Sequence, residues 1–309
     1  MNLVFETPAV EVVSPLRCQV GESPLWSVAE QALWWVDIDG RALHRFDAAA
    51  GATTSWLAGQ RIGCIAAHAE GGFIAGMETG VFRFRPGAAG HVETTELAAV
   101  QHARPDMRFN DGRCDRQGRF WSATMVRDTS LGVATGALYR FDERGLSAPL
   151  VGGLITGNGL GFSPDGRVAY LSDSHPSVQR IWAFDLGEDG SLSDRREFVN
   201  MNDYPGRPDG AAVDADGCYW ICATDAGALL RFTPQGVLDR ALRLPVAKPT
   251  MCAFGGADLG DLYIASIKPA QPVAGYDAAL GGALLRLRPG VRGLAEQPFQ
   301  SGALASGPG

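Results

Sequence analysis

Four short segments combine a carboxylate or carboxamide side chain with a neighbouring glycine, and such oxygen donors are typical of metal sites and hydrolytic centres. They are Gly21-Glu22-Ser23, Asn110-Asp111-Gly112, Gly157-Asn158-Gly159 and Pro208-Asp209-Gly210. Two carboxylates and two carboxamides suit a hard divalent cation such as Ca²⁺, Mg²⁺ or Mn²⁺, and the segments offer this set in Glu22, Asn110, Asn158 and Asp209. Asn-Gly and Asp-Gly are also common hairpin turns, so any one segment taken alone is explained by local structure.

The elements that would position these residues recur along the chain. A repeated phrase consists of a glycine-containing turn, a short strand rich in Trp, Tyr and Val, a polar turn and a second strand. Six copies, with spacings of 40, 47, 48, 51 and 43 residues, begin their first strand at Leu33, Phe73, Phe120, Val168, Tyr219 and Leu262. Repeats of about 40–50 residues built from short strands are typical of propeller blades. The sequence therefore predicts an all-β fold, a six-bladed β-propeller.

The four polar segments stand at equivalent places in that repeat. Each comes just before a copy of the phrase, so Glu22, Asn110, Asn158 and Asp209 belong to four different blades. Because equivalent places in a propeller form a ring around the central channel, we expect the four side chains to converge at one mouth. Four oxygen donors in register favour a metal site there over four independent turns.

One propeller accounts for the whole chain, so we predict a single domain over residues 1–309. The strand-like Val10-Glu11-Val12-Val13 is expected to join the last blade and close the ring. After about residue 295 the chain is rich in Gly, Ala and Ser. We expect this tail to be irregular and its final residues to be poorly ordered.

The composition excludes several classes of partner. A net charge of −7, from 27 basic and 34 acidic side chains, argues against nucleic acid and an anionic membrane surface. No run of about 18 apolar residues is present to span a bilayer, and the N-terminus lacks the basic and apolar regions of a signal peptide. We therefore expect a cytoplasmic protein that binds a small molecule, in an oligomeric state that the sequence does not indicate.

The cysteines and histidines do not form a familiar metal motif. The six cysteines are scattered without a C-x-x-C pair, which predicts small, buried free thiols; they are Cys18, Cys64, Cys114, Cys218, Cys222 and Cys252. Four of the histidines, His44, His68, His91 and His102, show no ligand spacing. The chain also lacks the G-x-S-x-G elbow of many serine hydrolases.

Five motifs resemble the ordered signatures of one family. They are Gly21-Glu22-Ser23-Pro24-Leu25-Trp26, Arg108-Phe109-Asn110-Asp111-Gly112, Thr156-Gly157-Asn158-Gly159-Leu160, Pro208-Asp209-Gly210, and Ala253-Phe254-Gly255-Gly256 followed by Leu262-Tyr263. The match runs in order from about Glu22 to Arg288. In these motifs the sequence resembles the gluconolactonase family, which includes senescence marker protein (regucalcin) and luciferin-regenerating enzyme. The resemblance implies a six-bladed propeller with one divalent metal ion at the channel mouth.

By motif, Glu22, Asn158 and Asp209 correspond to the metal ligands of that family, with Ca²⁺ as the first candidate and Zn²⁺, Mn²⁺ or Mg²⁺ as the others. The resemblance implies hydrolysis of a sugar-acid lactone, such as glucono-, galactono-, arabinono- or xylonolactone, to the aldonic acid. The metal would polarise the carbonyl, and either Asp209 or a metal-bound hydroxide would act on the attacking water. Asp209 is thus the candidate catalytic residue.

The resemblance also implies substrate contacts. Arg108 and Asn110 correspond to groups that bind the substrate, and Asn110 is placed close enough to the metal to touch it or its water. Asp128 is the nearest candidate for a further acidic substrate contact. The surrounding segment 127–135 is expected to form a lid that sets specificity.

Two other functions remain open. A phosphotriester hydrolase would use the same ring of oxygens to polarise a P=O bond, and an apolar, aromatic mouth would favour it. A calcium-binding propeller without enzymatic activity would hold the ion for stability or interaction alone. That second alternative leaves the pair Arg108 and Asn110 beside the ring unexplained.

Overall fold

Every copy of the repeated phrase forms the second and third strands of one antiparallel sheet in the computed structural model, which describes residues 3–301. Six such sheets follow one another along the chain, and we number them blade 1 to blade 6. The prediction of an all-β, six-bladed propeller is confirmed.

The first three blades are built from consecutive strands. Blade 1 consists of Gly21–Ser27, Ala32–Asp37, Ala42–Asp47 and Ala52–Leu57. Blade 2 consists of Ile62–Ala67, Phe73–Met77, Gly80–Pro86 and Val92–Ala99. Blade 3 consists of Met107–Cys114, Phe120–Val126, Gly136–Asp142, Gly145–Leu146 and Val151–Leu154. Its last two short strands both pair with its third strand, so they share the outer edge of the blade.

The other three blades follow the same plan until the ring closes. Blade 4 consists of Gly157–Phe162, Val168–Asp173, Arg180–Leu186 and Leu192–Asn200. Blade 5 consists of Arg207–Val213, Tyr219–Thr224, Ala228–Phe232 and Leu238–Arg243. Blade 6 consists of Pro249–Gly255, Asp261–Ser266, Leu285–Leu287 and the N-terminal strand Glu11–Val12. Three short 3₁₀ helices lie in the connections, at Thr129–Leu131, Met201–Asp203 and Ala278–Leu280.

The N-terminal strand supplies the outer strand of blade 6. Glu11 pairs with Arg286 and Val12 with Leu285, both antiparallel. Blade 6 therefore combines the N-terminal strand with three strands from the C-terminal part of the chain, and this pairing closes the ring. The first strands of neighbouring blades lie side by side around the axis and line the central channel.

Buried aspartates fix the turn between the first and second strands of blades 3 and 5. Asp214 Oδ2 accepts hydrogen bonds from Trp220 Nε1 and Arg231 Nε, both at 2.8 Å. Asp115 Oδ2 accepts the equivalent bond from Trp121 Nε1, also at 2.8 Å. Each carboxylate also accepts backbone N–H groups of its own turn. The aspartate of the turn and the tryptophan of the next strand therefore form one buried unit, which explains why they recur together in the sequence.

The far end of the channel is crossed by the C-terminal segment. Phe299 is buried and bridges to His68 of blade 2, and Gln300 N–H donates to Gly118 O in blade 3 at 3.0 Å. Glu296 forms an ion pair of 3.1 Å with Arg113, a buried residue of the first strand of blade 3. Residues 296–301 form no strand of their own. The final residues, 302–309, lie outside the described part of the chain.

The prediction of buried free thiols is confirmed, since all six cysteines are buried and unpaired. Within residues 3–301, no helix has the length and apolar character that crossing a bilayer requires.

Candidate metal and substrate site at the channel mouth

The first strand of every blade shifts its register against the second strand. The shifts lie at Glu22/Leu25, Ile62/Cys64, Phe109/Gly112, Asn158/Gly161, Pro208/Ala211 and Pro249/Cys252. A bulge bends a strand and frees the residues beside it from the regular alternation of the sheet. The polar segments are therefore bulges within strands, and the alternative interpretation as hairpin turns is wrong. Asn158-Gly159, for example, lies inside the first strand of blade 4, with Gly159 at a φ of 61°.

Glu22, Asn110, Asn158 and Asp209 all lie in first strands, at or beside these bulges. Glu22 and Asn158 each follow a glycine that pairs with the aspartate ending the second strand. Asn110 and Asp209 each lie five residues before a buried aspartate of the following turn, which is Asp115 or Asp214. The four side chains therefore come from one end of the channel. We call Glu22, Arg108, Asn110, Asn158 and Asp209 the mouth cluster.

Hydrogen bonds connect blade 3 to blade 4 across the mouth. Asn110 Nδ2 donates to Asn158 Oδ1 at 2.7 Å and to Gly157 O at 3.0 Å. Asn158 Nδ2 donates to Ser174 Oγ at 2.8 Å. Arg108 Nη1 donates to Asn110 Oδ1 at 2.6 Å. One chain of bonds thus runs from the predicted substrate residues to a predicted metal ligand and fixes the orientation of its amide.

The two carboxylates of the mouth cluster have few partners. Glu22 Oε2 accepts one hydrogen bond, from Ser23 N–H at 3.2 Å. Asp209 is 8% exposed, and among the described residues it accepts no hydrogen bond. Burial raises the pKa of Asp209 to about 7. Burial also raises the pKa of Glu22 well above its usual range; the carboxylates of Asp209 and Asp111 add to this effect, and Arg108 opposes it.

These carboxylates fit a bound cation. Within residues 3–301, neither Glu22 nor Asp209 takes part in an ion pair, although like charges brought together out of water are costly unless a cation compensates them. Glu22, Asn158 and Asp209 offer two carboxylates and one carboxamide, all hard oxygen donors. The donor set therefore suits Ca²⁺ or Mg²⁺ better than a soft metal.

Arg108 differs from the other cations around the mouth. Residues that precede or begin a first strand, or that follow a second strand, lie at the same end as Glu22 and form a rim of ion pairs. These pairs are Arg61–Asp39 (2.7 Å), Arg61–Glu78 (3.1 Å), Arg207–Asp225 (2.6 Å) and Lys248–Asp225 (2.6 Å). Arg108 has no carboxylate partner among the described residues, and its Nε and Nη2 donors make no hydrogen bond there. These donors are therefore available for a ligand.

Asp128 lies apart from this network. It is exposed, and its Oδ1 accepts hydrogen bonds from Ser130 N–H at 3.1 Å and Ser130 Oγ at 2.6 Å, which caps the helix Thr129–Leu131. No hydrogen bond among the described residues joins it to Arg108 or Asn110. The segment 127–135 connects the second and third strands of blade 3 at the mouth. Its role as a lid and the substrate contact of Asp128 remain predictions.

The sequence analysis assigned no role to two residues near the mouth. Asp111 is buried in the bulge beside Asn110; its Oδ2 accepts Leu160 N–H at 2.8 Å, while Oδ1 has no partner among the described residues. Ser174 holds the Asn158 amide. The only sequence signal for Asp111 was its place in the Asn-Asp-Gly motif, and Ser174 had none, because its contact depends on the pairing of two strands.

The chain is similar to known proteins over nearly its whole length. A family model described as SMP-30/Gluconolactonase/LRE-like region matches residues 20–268. The chain is 38% identical to the 6-deoxy-6-sulfogluconolactonase of Pseudomonas putida over 299 residues, covering 92% of this chain and 98% of that protein. It is 32% identical to the pentonolactonase XacC of Haloferax volcanii over 247 residues, covering 80% and 81%.

A solved structure shares the fold. The calcium-binding protein regucalcin from Agrobacterium tumefaciens superposes with a TM-score of 0.86 and is 25% identical, over 97% of this chain and 100% of the other. The blades and their order are therefore common to both proteins.

Proposed function

This chain belongs to the SMP-30/Gluconolactonase/LRE-like family, and we propose that it is a lactonase that hydrolyses a sugar-acid lactone to the aldonic acid. The observation that carries the proposal is the mouth cluster. Its two carboxylates, half-buried Glu22 and buried Asp209, have no ion-pair partner among the described residues, and Arg108 has unused donors. The relatives named as lactonases support the same class of reaction.

Glu22, Asn158 and Asp209 would hold one divalent cation, with Ca²⁺ as the first candidate and Zn²⁺, Mn²⁺ or Mg²⁺ as alternatives. When bound there, the cation supplies Lewis-acid polarisation of the lactone carbonyl. Asn110 and Ser174 hold the Asn158 amide, so that this ligand keeps one orientation.

Asp209 is the proposed general base. Because its carboxylate accepts no hydrogen bond among the described residues, a lone pair is free to take a proton from a water molecule. The water oxygen then bonds to the carbonyl carbon, the ring C–O bond breaks, and the proton passes to the released hydroxyl. The aldonic acid product ionises at neutral pH and releases one proton to solvent.

Arg108 and Asn110 are proposed to bind the sugar. The free Nε and Nη2 donors of Arg108 match hydroxyl or carbonyl oxygens, and its third nitrogen, bonded to Asn110 Oδ1, fixes the plane of the guanidinium. Asp128 and the segment 127–135 would border the same ligand. A five- or six-carbon aldonolactone, such as glucono-, galactono-, arabinono- or xylonolactone, presents oxygens of this kind.

The charged rim favours a sugar lactone over a phosphotriester. Ion pairs surround the mouth, whereas a neutral, hydrophobic phosphotriester would be favoured by an apolar, aromatic mouth. The free donors of Arg108 likewise support a ligand-binding site over a propeller that only stores calcium.

Proton release tests the proposal directly. Chelated protein is mixed with a panel of aldonolactones in weak buffer, before and after addition of Ca²⁺, Mg²⁺, Mn²⁺ or Zn²⁺. Metal-dependent acid release above the spontaneous rate is expected, and the lactone with the highest kcat/KM identifies the substrate. The same panel with the double variant Glu22→Gln, Asp209→Asn shows how much release depends on the mouth cluster.

The alternatives have distinct outcomes. If metal raises the Tm while no lactone is opened, the propeller is a calcium-binding protein. If a phosphotriester is hydrolysed faster than every lactone, the substrate assignment is overturned.

A further inference from the structure

A second cluster of potential metal ligands lies in the seam where blade 1 meets blade 6, beside the start of the first strand of blade 1. Cys18, Asp37 and His44 each offer one ligand atom, and these atoms all lie within 4.8 Å of one another. The three residues are 4%, 7% and 7% exposed. We call them the seam cluster, and they share no residue with the mouth cluster.

The three residues come from different parts of the seam. Cys18 lies on the segment that leads into blade 1, and its N–H donates to Gly282 O of blade 6 at 2.9 Å. Asp37 ends the second strand of blade 1. His44 lies on the third strand, where it pairs with Trp35 of the second.

The ring of His44 is held by a neighbouring hydroxyl. His44 Nδ1 lies 2.8 Å from Ser55 Oγ, and Nε2 has no hydrogen-bond partner among the described residues. When Nδ1 donates to this hydroxyl, Nε2 carries a bare lone pair, which is the tautomer that a metal ion requires. A partner on the second ring nitrogen is the usual arrangement for a histidine that binds metal.

The carboxylate of Asp37 has a structural role that does not explain its two neighbours. It accepts backbone N–H groups from Gln19 at 2.8 Å, Val20 at 3.0 Å and Gly40 at 2.9 Å. Asp173, at the equivalent place in blade 4, accepts the corresponding N–H groups in the same way. Yet among the described residues only the blade 1 aspartate has a cysteine and a histidine within ligand distance. The turn therefore requires the aspartate, but it does not require the thiol of Cys18 or the imidazole of His44.

We propose that Cys18, Asp37 and His44 form a second divalent-metal site, of the class that takes Zn²⁺. Sulfur, imidazole nitrogen and carboxylate oxygen together are a donor set typical of zinc, and poor for Ca²⁺. Tetrahedral Zn²⁺ with bonds of about 2.0–2.3 Å places its ligands about 3.5 Å apart. The ligand atoms lie within 4.8 Å of one another, so they would approach by about 1 Å when the metal binds.

Binding involves no redox change. The Cys18 thiol releases its proton to solvent, and its thiolate, one His44 nitrogen and one Asp37 oxygen each donate an electron pair to the metal. A water molecule completes the tetrahedron. The site joins the segment entering blade 1 to two strands of that blade, beside the contact with Gly282 of blade 6. The metal would therefore stabilise the closure of the ring.

Cobalt provides the most specific test, because a Co²⁺–thiolate bond gives a near-ultraviolet charge-transfer band that an oxygen-only site lacks. Reduced, chelated wild-type protein is titrated with Co²⁺ and then with Zn²⁺ as competitor. One thiolate-bound Co²⁺ per chain is expected, displaced by Zn²⁺. The band is expected to persist in the variant Glu22→Gln, Asp209→Asn and to be lost in Cys18→Ser and His44→Gln.

Matched controls keep the result interpretable. Cys218→Ser removes another buried thiol, in blade 5, and is expected to retain the band. Cys18→Ser preserves an acceptor for Trp35 Nε1, which donates to the Cys18 sulfur at 3.3 Å, and its folding is checked by circular dichroism. Zn²⁺ at about 100 times its Kd is expected to raise the Tm of the Glu22→Gln, Asp209→Asn variant by a few degrees.

Three results would overturn the proposal. One is the absence of the band in folded wild-type protein at excess Co²⁺. Another is a band that survives Cys18→Ser. The third is loss of all Zn²⁺ binding in the Glu22→Gln, Asp209→Asn variant. None of them depends on lactone hydrolysis, so the proposed function stands or falls separately.

Discussion

The mouth cluster and the seam cluster are both buried groups of potential metal ligands, but they differ in donor type and in how fully the fold already uses them. The mouth cluster offers oxygen ligands from blades 1, 3, 4 and 5, and its Asp209 accepts no hydrogen bond among the described residues. The seam cluster mixes sulfur, nitrogen and oxygen, and each of its residues already has a hydrogen-bond partner.

That difference matches the two proposed roles, catalysis at the mouth cluster and stabilisation by the seam cluster. At the mouth, oxygen lone pairs without a hydrogen-bond partner remain available to substrate and water. In the seam, the side chains are already bonded to the backbone and to neighbouring side chains, so a metal ion there would only hold them more firmly. A metal at the mouth would therefore change the reaction rate, and a metal in the seam would change the Tm.

The largest contrast is expected from single substitutions in the two clusters. Asp209→Asn keeps the shape of the side chain but removes the proposed base, so kcat should fall by about 10²–10⁴-fold. Cys18→Ser should change lactone turnover far less, because it removes no proposed ligand, base or substrate-binding group of the mouth cluster. Initial rates of acid release with saturating metal and lactone measure both effects.

Asp203→Asn is the matched control for this first contrast, since Asp203 is exposed on the short helix Met201–Asp203. It should behave as wild type. Equal rate losses in Asp209→Asn and Cys18→Ser would show that the two clusters are not functionally separate.

Serine hydroxyls that hold a ligand allow a second, smaller contrast. Ser174 supports the Asn158 amide at the mouth, and Ser55 supports His44 in the seam. Loss of such a partner usually weakens metal binding by about 10–100-fold. Ser174→Ala should weaken Ca²⁺ binding alone, and Ser55→Ala should weaken Co²⁺ binding in the seam alone, as measured by calorimetry and by the charge-transfer band. A serine variant that weakened both metals would indicate a general loss of packing.

Arg108 has no counterpart in the seam, and its replacement should affect substrate binding rather than chemistry. A hydrogen bond to a charged group contributes about 1.5–3 kcal/mol, and lysine cannot reproduce the planar fork of a guanidinium. Arg108→Lys should therefore raise KM about tenfold with little change in kcat. Steady-state kinetics with the preferred lactone decide the matter, and a loss confined to kcat would contradict the binding role.

The fold was predictable because its signals are local. A turn with Asp, Pro or Gly followed by a strand with Trp or Tyr appears in the sequence as one unit, and in the structure Asp214 and Trp220 form one buried contact. The equivalent positions of Glu22 and Asn158 in their blades were predictable for a related reason, since each residue comes just before such a unit. Their surroundings were not: whether Asn158-Gly159 forms a turn or a bulge depends on its pairing with the second strand.

The seam cluster was not predictable from spacing. Cys18, Asp37 and His44 are 19 and 7 residues apart, which matches no metal motif. They come together because the third strand of blade 1 pairs with the second and because Asp37 accepts the N–H groups that follow Cys18. Contacts of this kind depend on tertiary structure, which the order of residues along the chain does not express.

The smallest contrast concerns how the stability of the chelated protein depends on pH, because the two clusters change it in opposite directions. Burial raises the pKa of Asp209 to about 7 from its ordinary 3.8. Between about pH 4 and 7 the folded state therefore holds a proton that the unfolded chain has lost, and stability falls as the pH rises. Burial lowers the pKa of His44 to about 4 from 6.5. Between about pH 4 and 6.5 the unfolded chain therefore holds a proton on His44 that the folded state lacks, and stability falls as the pH drops from 6.5 towards 4.

The two groups can be separated because their effects oppose each other over the same range. Asp209→Asn removes the loss of stability at rising pH, so the Tm of this variant should exceed that of wild type by several degrees at pH 7. His44→Gln removes the loss at falling pH, so its Tm relative to wild type should be highest near pH 4. Thermal unfolding in chelator from pH 4 to 8 measures both differences. If Asp209→Asn gained no stability at neutral pH, the carboxylates of the mouth would already be compensated without a metal ion, and the contrast with the seam would disappear.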